Sequence, residues 1–404
     1  MLLDDLHATL EQRAAAGLRR TLRTFRPDPT APRYLIDPDG RRLLNLAGND
    51  YLALATHRAV VDAAADTARR VGFGAGASRL VCGHRPEHAA AEAAFARHKH
   101  AAAAVLLPTG YAANQALLAA LAGSGDLVVQ DRLNHASLLD AARGSGAELR
   151  TVPHGTLGHA KAARLLARHR AAPGRPANRP ARRFVVVDAV FSMDGDTADL
   201  PTLLKMCEAH DAWLIADEAH ATGVLGPGGG GLSAYHGVES HPRLLARTVT
   251  VSKALGGLGG VVVAPRAVID TLLNHARPLI YSTAVPPASA AAATAALGVL
   301  EREPHRQTRL TELGDRLRTA LDTAGWPGVR PAGPVTPIVP LRVGTVAAAT
   351  DLADRLAAAG VLAIAIRPPT VPPGTSRVRL GLRADLTDDE LSQVIAAVGG
   401  PPQR

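Results

Sequence analysis

The chain has 404 residues, of which 47% are hydrophobic and only 3% aromatic, so it is long enough to bury the cores of two domains. Its formal net charge of +9 permits binding to nucleic acid, an acidic cofactor, a CoA ester or a carrier protein, but the arginines are dispersed and no basic run contains interleaved aromatic residues. Two cysteines exclude a disulfide framework, and no stretch matches a secretion signal or a membrane span, so we expect a cytoplasmic protein.

The N-terminal region is predicted to contain a helix followed by a hairpin. Leucines along one side indicate an amphipathic helix over residues 1–26, which is ended by a group of prolines. Two short apolar runs, 34–37 and 42–46, flank a Pro-Asp-Gly turn and indicate a β-hairpin. We expect residues 1–48 to pack with the smaller of two domains.

Residues 49–285 alternate between short apolar runs and helical patterns. Alternation of this kind predicts an α/β domain with a mostly parallel sheet and helices on both faces. A Pro/Arg/Gly-rich segment at 171–182 is predicted to be a surface connection. The predicted strands are 103–107, 127–130, 149–152, 183–188, 212–217 and 248–251, and the predicted helices are 57–71, 86–99, 111–122, 137–143, 158–170 and 200–210.

The pattern changes after residue 285, where longer helices begin. Residues 286–404 are therefore predicted to form a second, smaller α+β domain. Its predicted helices are 287–302, 307–324, 346–359 and 388–398, and its predicted strands are 338–343, 361–366 and 377–382.

Lysine is scarce in this chain, and one lysine stands at a special place. Only four of the 45 basic residues are lysines, and Lys253 lies between a β-branched run and a glycine-rich loop. Arginine keeps its proton, whereas a lysine becomes an amine nucleophile once burial and neighbouring cations lower its pKa. Lys253 is therefore a candidate Schiff-base lysine, with an ordinary solvated loop lysine as the alternative.

Other polar groups follow the ends of other predicted strands, where ligands bind in parallel sheets. Gly110 and Tyr111 begin a helix whose free N–H groups suit a phosphate. Asp217 ends a buried strand and could keep a pyridine nitrogen protonated, and His220 could reach the phenolate oxygen of the same ring. His135 could stack on the ring face. These groups together predict a pyridoxal phosphate site and no metal site.

The same residues have three alternative interpretations. The stretch Asp217-Glu-Ala-His220 also occurs in some helicases, but they require a phosphate loop whose lysine precedes Ser or Thr, and the sequence has none. Ser192 lacks the Gly-x-Ser-x-Gly context of a hydrolase nucleophile. A lone histidine such as His135 more often caps a helix. Five strand ends that each offer a group needed by one cofactor favour the pyridoxal phosphate site.

As a set, eight stretches resemble the α-oxoamine synthases, which are fold-type-I pyridoxal-phosphate enzymes. The resemblance covers roughly residues 4–398 and implies a large domain with a mostly parallel seven-stranded sheet and a smaller α+β domain. The stretches are Asn49-Asp-Tyr-Leu52, Gly110-Tyr-Ala-Ala-Asn-Gln115, Asp131-Arg-Leu-Asn-His-Ala-Ser-Leu-Leu139, Val190-Phe-Ser-Met-Asp-Gly-Asp196, Asp217-Glu-Ala-His-Ala-Thr-Gly-Val224, Ser252-Lys253, Tyr281-Ser-Thr283 and Ile366-Arg-Pro-Pro-Thr-Val-Pro-Pro-Gly-Thr-Ser-Arg-Val-Arg-Leu380.

The resemblance implies a role for each matching residue. Arg379 is the preferred partner of the amino-acid carboxylate, Arg19 is a rival to Arg20, and a surface salt bridge is the alternative for each arginine. The implied cofactor residues are Lys253 as the Schiff base, Asp217 at the ring nitrogen, His220 and Ser192 at the phenolic oxygen, His135 on the ring face, and Gly110, Tyr111 and Thr250 elsewhere. The implied substrate residues are Arg20, His135, Arg367, Thr370 and Arg379, and the implied catalytic residues are Lys253, His135, Asp217 and His220.

The implied activity is the decarboxylative condensation of an amino acid with an acyl thioester. The Arg367-Pro-Pro-Thr-Val-Pro372 version of the last stretch favours L-alanine and pimeloyl-CoA, or a pimeloyl-carrier protein, as in biotin biosynthesis. Another α-oxoamine synthase activity, with glycine or serine and a different acyl-CoA as substrates, is the alternative. The family forms homodimers whose active sites lie between the two subunits, and Ser282 and Thr283 would contribute to the active site of the partner subunit. A basic nucleic-acid-binding protein on an inactive enzyme fold is the alternative from a different class.

Overall fold

The computed structural model describes residues 1–169 and 180–402. Most of the predicted surface connection at 171–182 lies outside the described residues. The chain forms two compact units. The smaller unit contains Met1–Asn49, Met193–Gly195 and Arg309–Arg404, and the larger unit contains Asp50–Ser192 and Asp196–Thr308.

The described residues contain strands and helices in an order close to the predicted one. The strands are β1 Arg26–Pro27, β2 Tyr34–Ile36, β3 Arg42–Asn45, β4 Ala103–Leu107, β5 Leu127–Asp131, β6 Glu148–Val152, β7 Arg183–Asp188, β8 Trp213–Asp217, β9 Leu244–Thr250, β10 Gly260–Ala264, β11 Ile338–Gly344, β12 Val361–Leu362, β13 Ile364–Ile366 and β14 Ser376–Gly381. The helices are α1 Leu2–Ala15, α2 Arg58–Val71, α3 Pro86–His98, α4 Gly110–Leu121, α5 Ala136–Gly144, α6 Thr156–Arg168, α7 Leu200–Ala209, α8 Leu232–Tyr235, α9 Arg266–His275, α10 Arg277–Ile280, α11 Pro287–Arg302, α12 His305–Thr323, α13 Val346–Ala358 and α14 Asp388–Val398.

The larger unit is built on a seven-stranded sheet with the strand order β4-β10-β9-β8-β7-β5-β6. Neighbouring strands are parallel except at β10, which is antiparallel to both β9 and β4. The prediction of a mostly parallel seven-stranded sheet is confirmed. The individual strand predictions omitted β10, because the glycine-rich loop before it hides the start of its valine run.

One face of this sheet is covered by an apolar cluster that includes residues of α4, α5 and α9. Leu117, Leu138, Val186, Ile215 and Leu272 belong to it and are completely or almost completely buried. Burying one such side chain contributes roughly 1.5–3 kcal/mol. Strands buried on both faces need no polar alternation, which explains why the predicted strands appear in the sequence as continuous apolar runs.

The alanine-rich helix α11 belongs to the larger unit, which differs from the predicted domain boundary at residue 285. It packs against α2 and α3. Its alanines Ala290, Ala293 and Ala296 are completely buried, and their small side chains allow close helix packing. The boundary between the units therefore falls within α12, after Thr308.

The smaller unit contains a sheet with the order β1-β2-β3-β12 and a sheet with the order β11-β14-β13. The predicted hairpin is confirmed, because β2 and β3 pair as antiparallel neighbours. The single strand predicted at 361–366 is instead two strands, since β12 pairs with β3 and β13 pairs with β14. The N-terminal segment thus contributes strands to this unit.

The helix predicted over residues 1–26 is shorter than expected. It ends at Ala15, and Gly17 then adopts a φ of +65°, a left-handed conformation that breaks the helical pattern. None of the residues of α1 is buried in this chain. The leucine periodicity predicted the existence of the helix but not its end, because Leu18 and Leu22 continue the pattern beyond Gly17.

No helix within residues 1–169 and 180–402 is both long and apolar enough to cross a membrane. The two cysteines are both free: Cys82 is exposed and Cys207 is buried.

Candidate active site

A cavity of about 200 Å³ lies in the larger unit at the carboxyl ends of its strands. It collects residues that follow β4, β5, β7, β8 and β9, because these strand ends share one edge of the sheet. Seven of the eight predicted cofactor residues line it, and Ser192 does not. The lining residues are Thr109, Gly110, Tyr111, His135, Ser137, Asp188, Val190, Asp217, Ala219, His220, Thr250, Ser252 and Lys253.

Asp217 is a buried carboxylate at the end of β8, held by two donors. Its Oδ1 accepts the backbone N–H of Ala219 at 2.9 Å, and its Oδ2 accepts the side-chain amide of Asn114 at 2.7 Å. The residue is 6% exposed. Since each oxygen has its own donor, the carboxylate is fixed in one orientation at the cavity wall, as pairing with a ring N–H requires.

His135 both begins α5 and faces the cavity. Its backbone N–H donates to Asp188 at 2.8 Å, and its Nδ1 accepts the backbone N–H of Ser137 at 3.2 Å. Burial, with a further contribution from Lys253, lowers the pKa of His135, although Asp217 opposes the shift. The imidazole is therefore neutral at pH 7. His135 therefore both caps α5, as the alternative interpretation predicted, and lines the cavity.

His220 lies on the turn after β8 and is oriented by a buried tyrosine. The hydroxyl of Tyr51 lies 2.7 Å from Nδ1 of His220. Tyr51 is completely buried and His220 is 7% exposed. Tyr51 belongs to a stretch that carries the family resemblance, but the resemblance implied no role for it. Its contact with His220 was not predictable because the two residues are 169 positions apart.

Lys253 is the one lysine of the chain that lines the cavity. Lys161 and Lys205 are exposed. Lys99 is completely buried, but its ammonium donates to the carboxylate of Glu218 and, at 3.1 Å, to the hydroxyl of Thr222. Lys99 is thus part of a buried ion pair. Lys253 is instead half-buried, and its side chain lines the cavity, where a ligand can contact it.

The backbone after Lys253 turns sharply against a neighbouring loop. The N–H of Gly256 donates to the carbonyl of Lys253 at 2.9 Å, and Gly256 has a φ of +66°. A Cβ at this position would lie 2.2 Å from the backbone nitrogen of Ala55. Only glycine meets both conditions, so the glycine-rich loop predicted from the sequence has a steric cause.

The N-terminus of α4 forms another part of the wall. Thr109 caps the helix, since its hydroxyl accepts the N–H of Ala112 at 3.0 Å. Gly110 and Tyr111 begin the helix at the cavity, where the helix dipole and the first N–H groups favour an anion. The hydroxyl of Tyr111 donates to Asp140.

The segment that carries Ser192 is anchored by a charged histidine. Nδ1 of His154 lies 2.9 Å from Asp131, and its Nε2 lies 2.7 Å from Asp196. Hydrogen bonds to these two carboxylates raise the pKa of His154 to about 10. Its ring also packs edge-on against Phe191, with centroids 4.4 Å apart. Ser192 itself is half-buried.

The chemistry of the cavity fits pyridoxal phosphate. A cavity of about 150 Å³ accommodates a benzene ring, so one of about 200 Å³ accommodates a substituted six-membered ring. Its wall offers an amine, Lys253, for the aldehyde and a fixed carboxylate, Asp217, for the ring nitrogen. It also offers a neutral imidazole, His135, for the ring face and the start of α4 for the phosphate.

A family model described as aminotransferase class I and II matches residues 41–398. The chain belongs to the aminotransferase class I and II family. An 8-amino-7-oxononanoate synthase from Anaeromyxobacter dehalogenans is 44% identical over 396 residues, which cover 98% of this chain and 95% of that protein. A second 8-amino-7-oxononanoate synthase, from Cellvibrio japonicus, is 41% identical over 98% of this chain and 96% of its own length.

Solved structures of two other enzymes have the same fold. A serine palmitoyltransferase from S. paucimobilis, solved with a bound PLP–myriocin aldimine, superposes with a TM-score of 0.88 at 25% identity, covering 98% of this chain and 96% of that chain. An 8-amino-7-oxononanoate synthase from Francisella tularensis has a TM-score of 0.73 at 26% identity, covering 88% and 96%. The predicted resemblance to α-oxoamine synthases and the predicted fold-type-I architecture are confirmed.

The predicted substrate residues other than His135 lie in the smaller unit. Arg20 donates to the hydroxyl of Thr370 at 3.1 Å, so two of them contact each other. Arg367 donates to the carbonyl of Gly17. Arg379 is buried on β14 and donates to the side chain of Asn49 at 2.8 Å. The contact with Thr370 favours Arg20 over Arg19, and the substrate roles stay predictions.

Proposed function

We propose that the chain catalyses the decarboxylative condensation of L-alanine with pimeloyl-CoA, or with a pimeloyl-carrier protein. The products are 8-amino-7-oxononanoate, CO2 and CoA or the free carrier protein, and the reaction belongs to biotin biosynthesis. The observation that carries the proposal is that Asp217 and Lys253 line one cavity together with both predicted histidines, His135 and His220. Identity of 44% over nearly the full length to a protein named for this reaction supports the choice of substrates.

The cofactor of the proposed reaction is pyridoxal phosphate, which when bound supplies an aldehyde for the amine and an electron sink for the developing carbanion. Asp217 would hold the proton on the ring nitrogen, since its carboxylate is fixed and lines the cavity. His135 would contact the ring face as a neutral imidazole, because a second cation there would oppose a protonated ring. His220, oriented by Tyr51, would bind the phenolic oxygen.

Lys253 has two tasks in this proposal. Its Nζ would hold the cofactor through the aldehyde, and its amine would accept the α-proton of alanine. Both tasks require an amine that can exchange protons, which no arginine provides. The developing negative charge on the acyl thioester then needs a donor, and Arg20 and Thr370 are proposed to contact the acyl substrate. Arg379 is proposed to bind the alanine carboxylate.

We further propose a cytoplasmic homodimer. Phe73, Val81 and Tyr281 of the larger unit are 77%, 78% and 70% exposed. The segments that carry them are adjacent, because Ser78 and Thr283 form an antiparallel β-bridge. Large exposed apolar side chains that cluster indicate a protein interface, and a second copy of the chain is the proposed occupant. Sedimentation of a Val81→Asp variant tests this: a monomer is expected, and an unchanged dimer would refute the assigned face.

A panel of amino acids and acyl thioesters tests the proposed reaction. CoA release is measured with alanine, glycine and serine, each against pimeloyl-CoA and palmitoyl-CoA. The expected result is turnover with alanine and pimeloyl-CoA. Serine with palmitoyl-CoA as the preferred pair would instead place the chain with the serine palmitoyltransferases, whose structures it matches with a TM-score of 0.88.

A Lys253→Ala variant and a Lys205→Ala variant form the matched control pair, since Lys205 is an exposed lysine away from the cavity. Only the change at Lys253 is expected to abolish the bound-cofactor absorption band and turnover. The nucleic-acid-binding alternative predicts a colourless protein with salt-sensitive binding to nucleic acid, and that result would overturn the proposal.

A further inference from the structure

A buried amide on α4 connects two sides of the cavity. Nδ2 of Asn114 donates to Oδ2 of Asp217 at 2.7 Å and to the hydroxyl of Ser137 at 2.9 Å. Asn114 and Ser137 are each only 1% exposed. A carboxylate only accepts hydrogen bonds, so the amide nitrogen, and not the amide oxygen, must face Asp217. The hydrogen bond to Asp217 therefore determines which way the amide group of Asn114 is oriented.

Ser137 continues this connection to the imidazole. Its hydroxyl lies 2.7 Å from Nδ1 of His135, and its backbone N–H donates to the same nitrogen at 3.2 Å. A backbone N–H cannot accept, so Nδ1 carries no proton. The hydroxyl of Ser137 therefore accepts from Asn114 and donates to His135. The neutral ring then carries its proton on Nε2.

The backbone of His135 is held separately from its ring. Its N–H donates to Asp188 at 2.8 Å, and the side chain of the preceding Asn134 bridges Val186 and Asp188. These contacts place the α-carbon of His135 but do not select a tautomer. Only Ser137 contacts Nδ1 of the ring among the hydrogen bonds recorded for the described residues, so the choice of tautomer depends on Ser137.

We propose that Asn114 and Ser137 are positioning residues that join Asp217 and His135 into one hydrogen-bonded unit around the cofactor ring. Asn114 stops the carboxylate of Asp217 from rotating away from the ring nitrogen, and Ser137 keeps Nε2–H as the tautomer of His135. Neither residue contacts the reacting atoms in this proposal. The inference rests on the proposed function, because it assigns these residues to the pyridoxal phosphate of that reaction.

The test measures cofactor binding without substrates, in full-length protein freed of cofactor and then titrated with pyridoxal phosphate. The variants are Ser137→Ala, Ser137→Thr and Asn114→Leu, with Ser145→Ala as the control. Ser145 lies at the other end of α5, where its hydroxyl donates to Ala142 at 2.8 Å. The readouts are the dissociation constant and the pH at which the bound-cofactor absorption band changes.

We expect Ser137→Ala and Asn114→Leu each to weaken cofactor binding about fivefold to tenfold, because each removes two of the hydrogen bonds that join Asp217 to His135. We also expect each to shift the pH of the spectral change, whereas Ser137→Thr, which keeps the hydroxyl, restores both values. Ser145→Ala is expected to leave both values at those of the unmodified protein. A purely structural role would lower the melting temperature without moving the pH of the spectral change.

Two failures are distinguishable. If the unmodified protein binds no pyridoxal phosphate, the proposed function fails and the inference falls with it. If the unmodified protein binds the cofactor but Ser137→Ala and Asn114→Leu leave both the dissociation constant and the spectral pH unchanged, the inference alone is refuted. Loss of binding in Ser137→Thr to the same degree as in Ser137→Ala would also overturn it.

Discussion

The charged histidine beside the cavity predicts a specific loss of stability at alkaline pH. Hydrogen bonds to Asp131 and Asp196 raise the pKa of His154 from 6.5 to about 10. Between these values the folded protein holds one more proton at this residue than the unfolded chain does. The free energy of unfolding therefore falls by roughly 1.4 kcal/mol per pH unit because of this group. The contribution is complete below pH 6.5 and is lost as pH rises through about 10.

A urea titration at pH 7, 8 and 9 measures this slope for the unmodified protein and for His154→Gln. Glutamine carries no charge, so the variant is expected to be less stable at pH 7 and to lose roughly 3 kcal/mol less between pH 7 and pH 9. His7→Gln, a change at an exposed residue of α1, is the control.

The decisive measurement is the difference between the pH dependences of the free energy of unfolding of the unmodified protein and of His154→Gln. Groups elsewhere in the chain titrate equally in both proteins, so the difference between the two slopes isolates His154. Parallel pH dependences for the unmodified protein and His154→Gln would show that the imidazole is not held as a cation by Asp131 and Asp196.

Two further changes test a close backbone contact at Gly256 and the buried ion pair between Lys99 and Glu218. Gly256→Ala is expected to destabilise the protein and weaken cofactor binding, because the added Cβ meets the backbone of the neighbouring loop at 2.2 Å, whereas Gly74→Ala, where a Cβ meets nothing within 4 Å, changes neither. Equal melting temperatures for the two glycine variants would contradict the steric argument. Lys99→Met leaves the buried carboxylate of Glu218 unpaired and is expected to cost about 3–5 kcal/mol in urea titrations. Lys205→Met, at an exposed position, is expected to cost under about 0.5 kcal/mol, and a similar cost for both would refute the buried pair.

Local patterns predicted much of the fold because helices and strands are short-range in sequence. The apolar run that became β7 and the amphipathic pattern that became α2 lie within a residue or two of the predicted bounds. The end of α1 was missed, since Gly17 interrupts a leucine pattern that continues on both sides. The unit that contains α11 differs from the predicted division of the chain, because alanine is compatible with many helix partners and only packing against α2 and α3 selects one.

The sequence by itself determined which residue types stand at the ends of the strands, and those types were enough to predict the cofactor. Lys253 was distinctive because only four of the 45 basic residues are lysines, and Asp217 because it ends an apolar run. What only the tertiary structure decided is how such residues are held. Asn114 contacts Asp217 across 103 positions of the chain. No local periodicity encodes such a contact, because it exists only after separate strands and helices have met at one edge of the sheet.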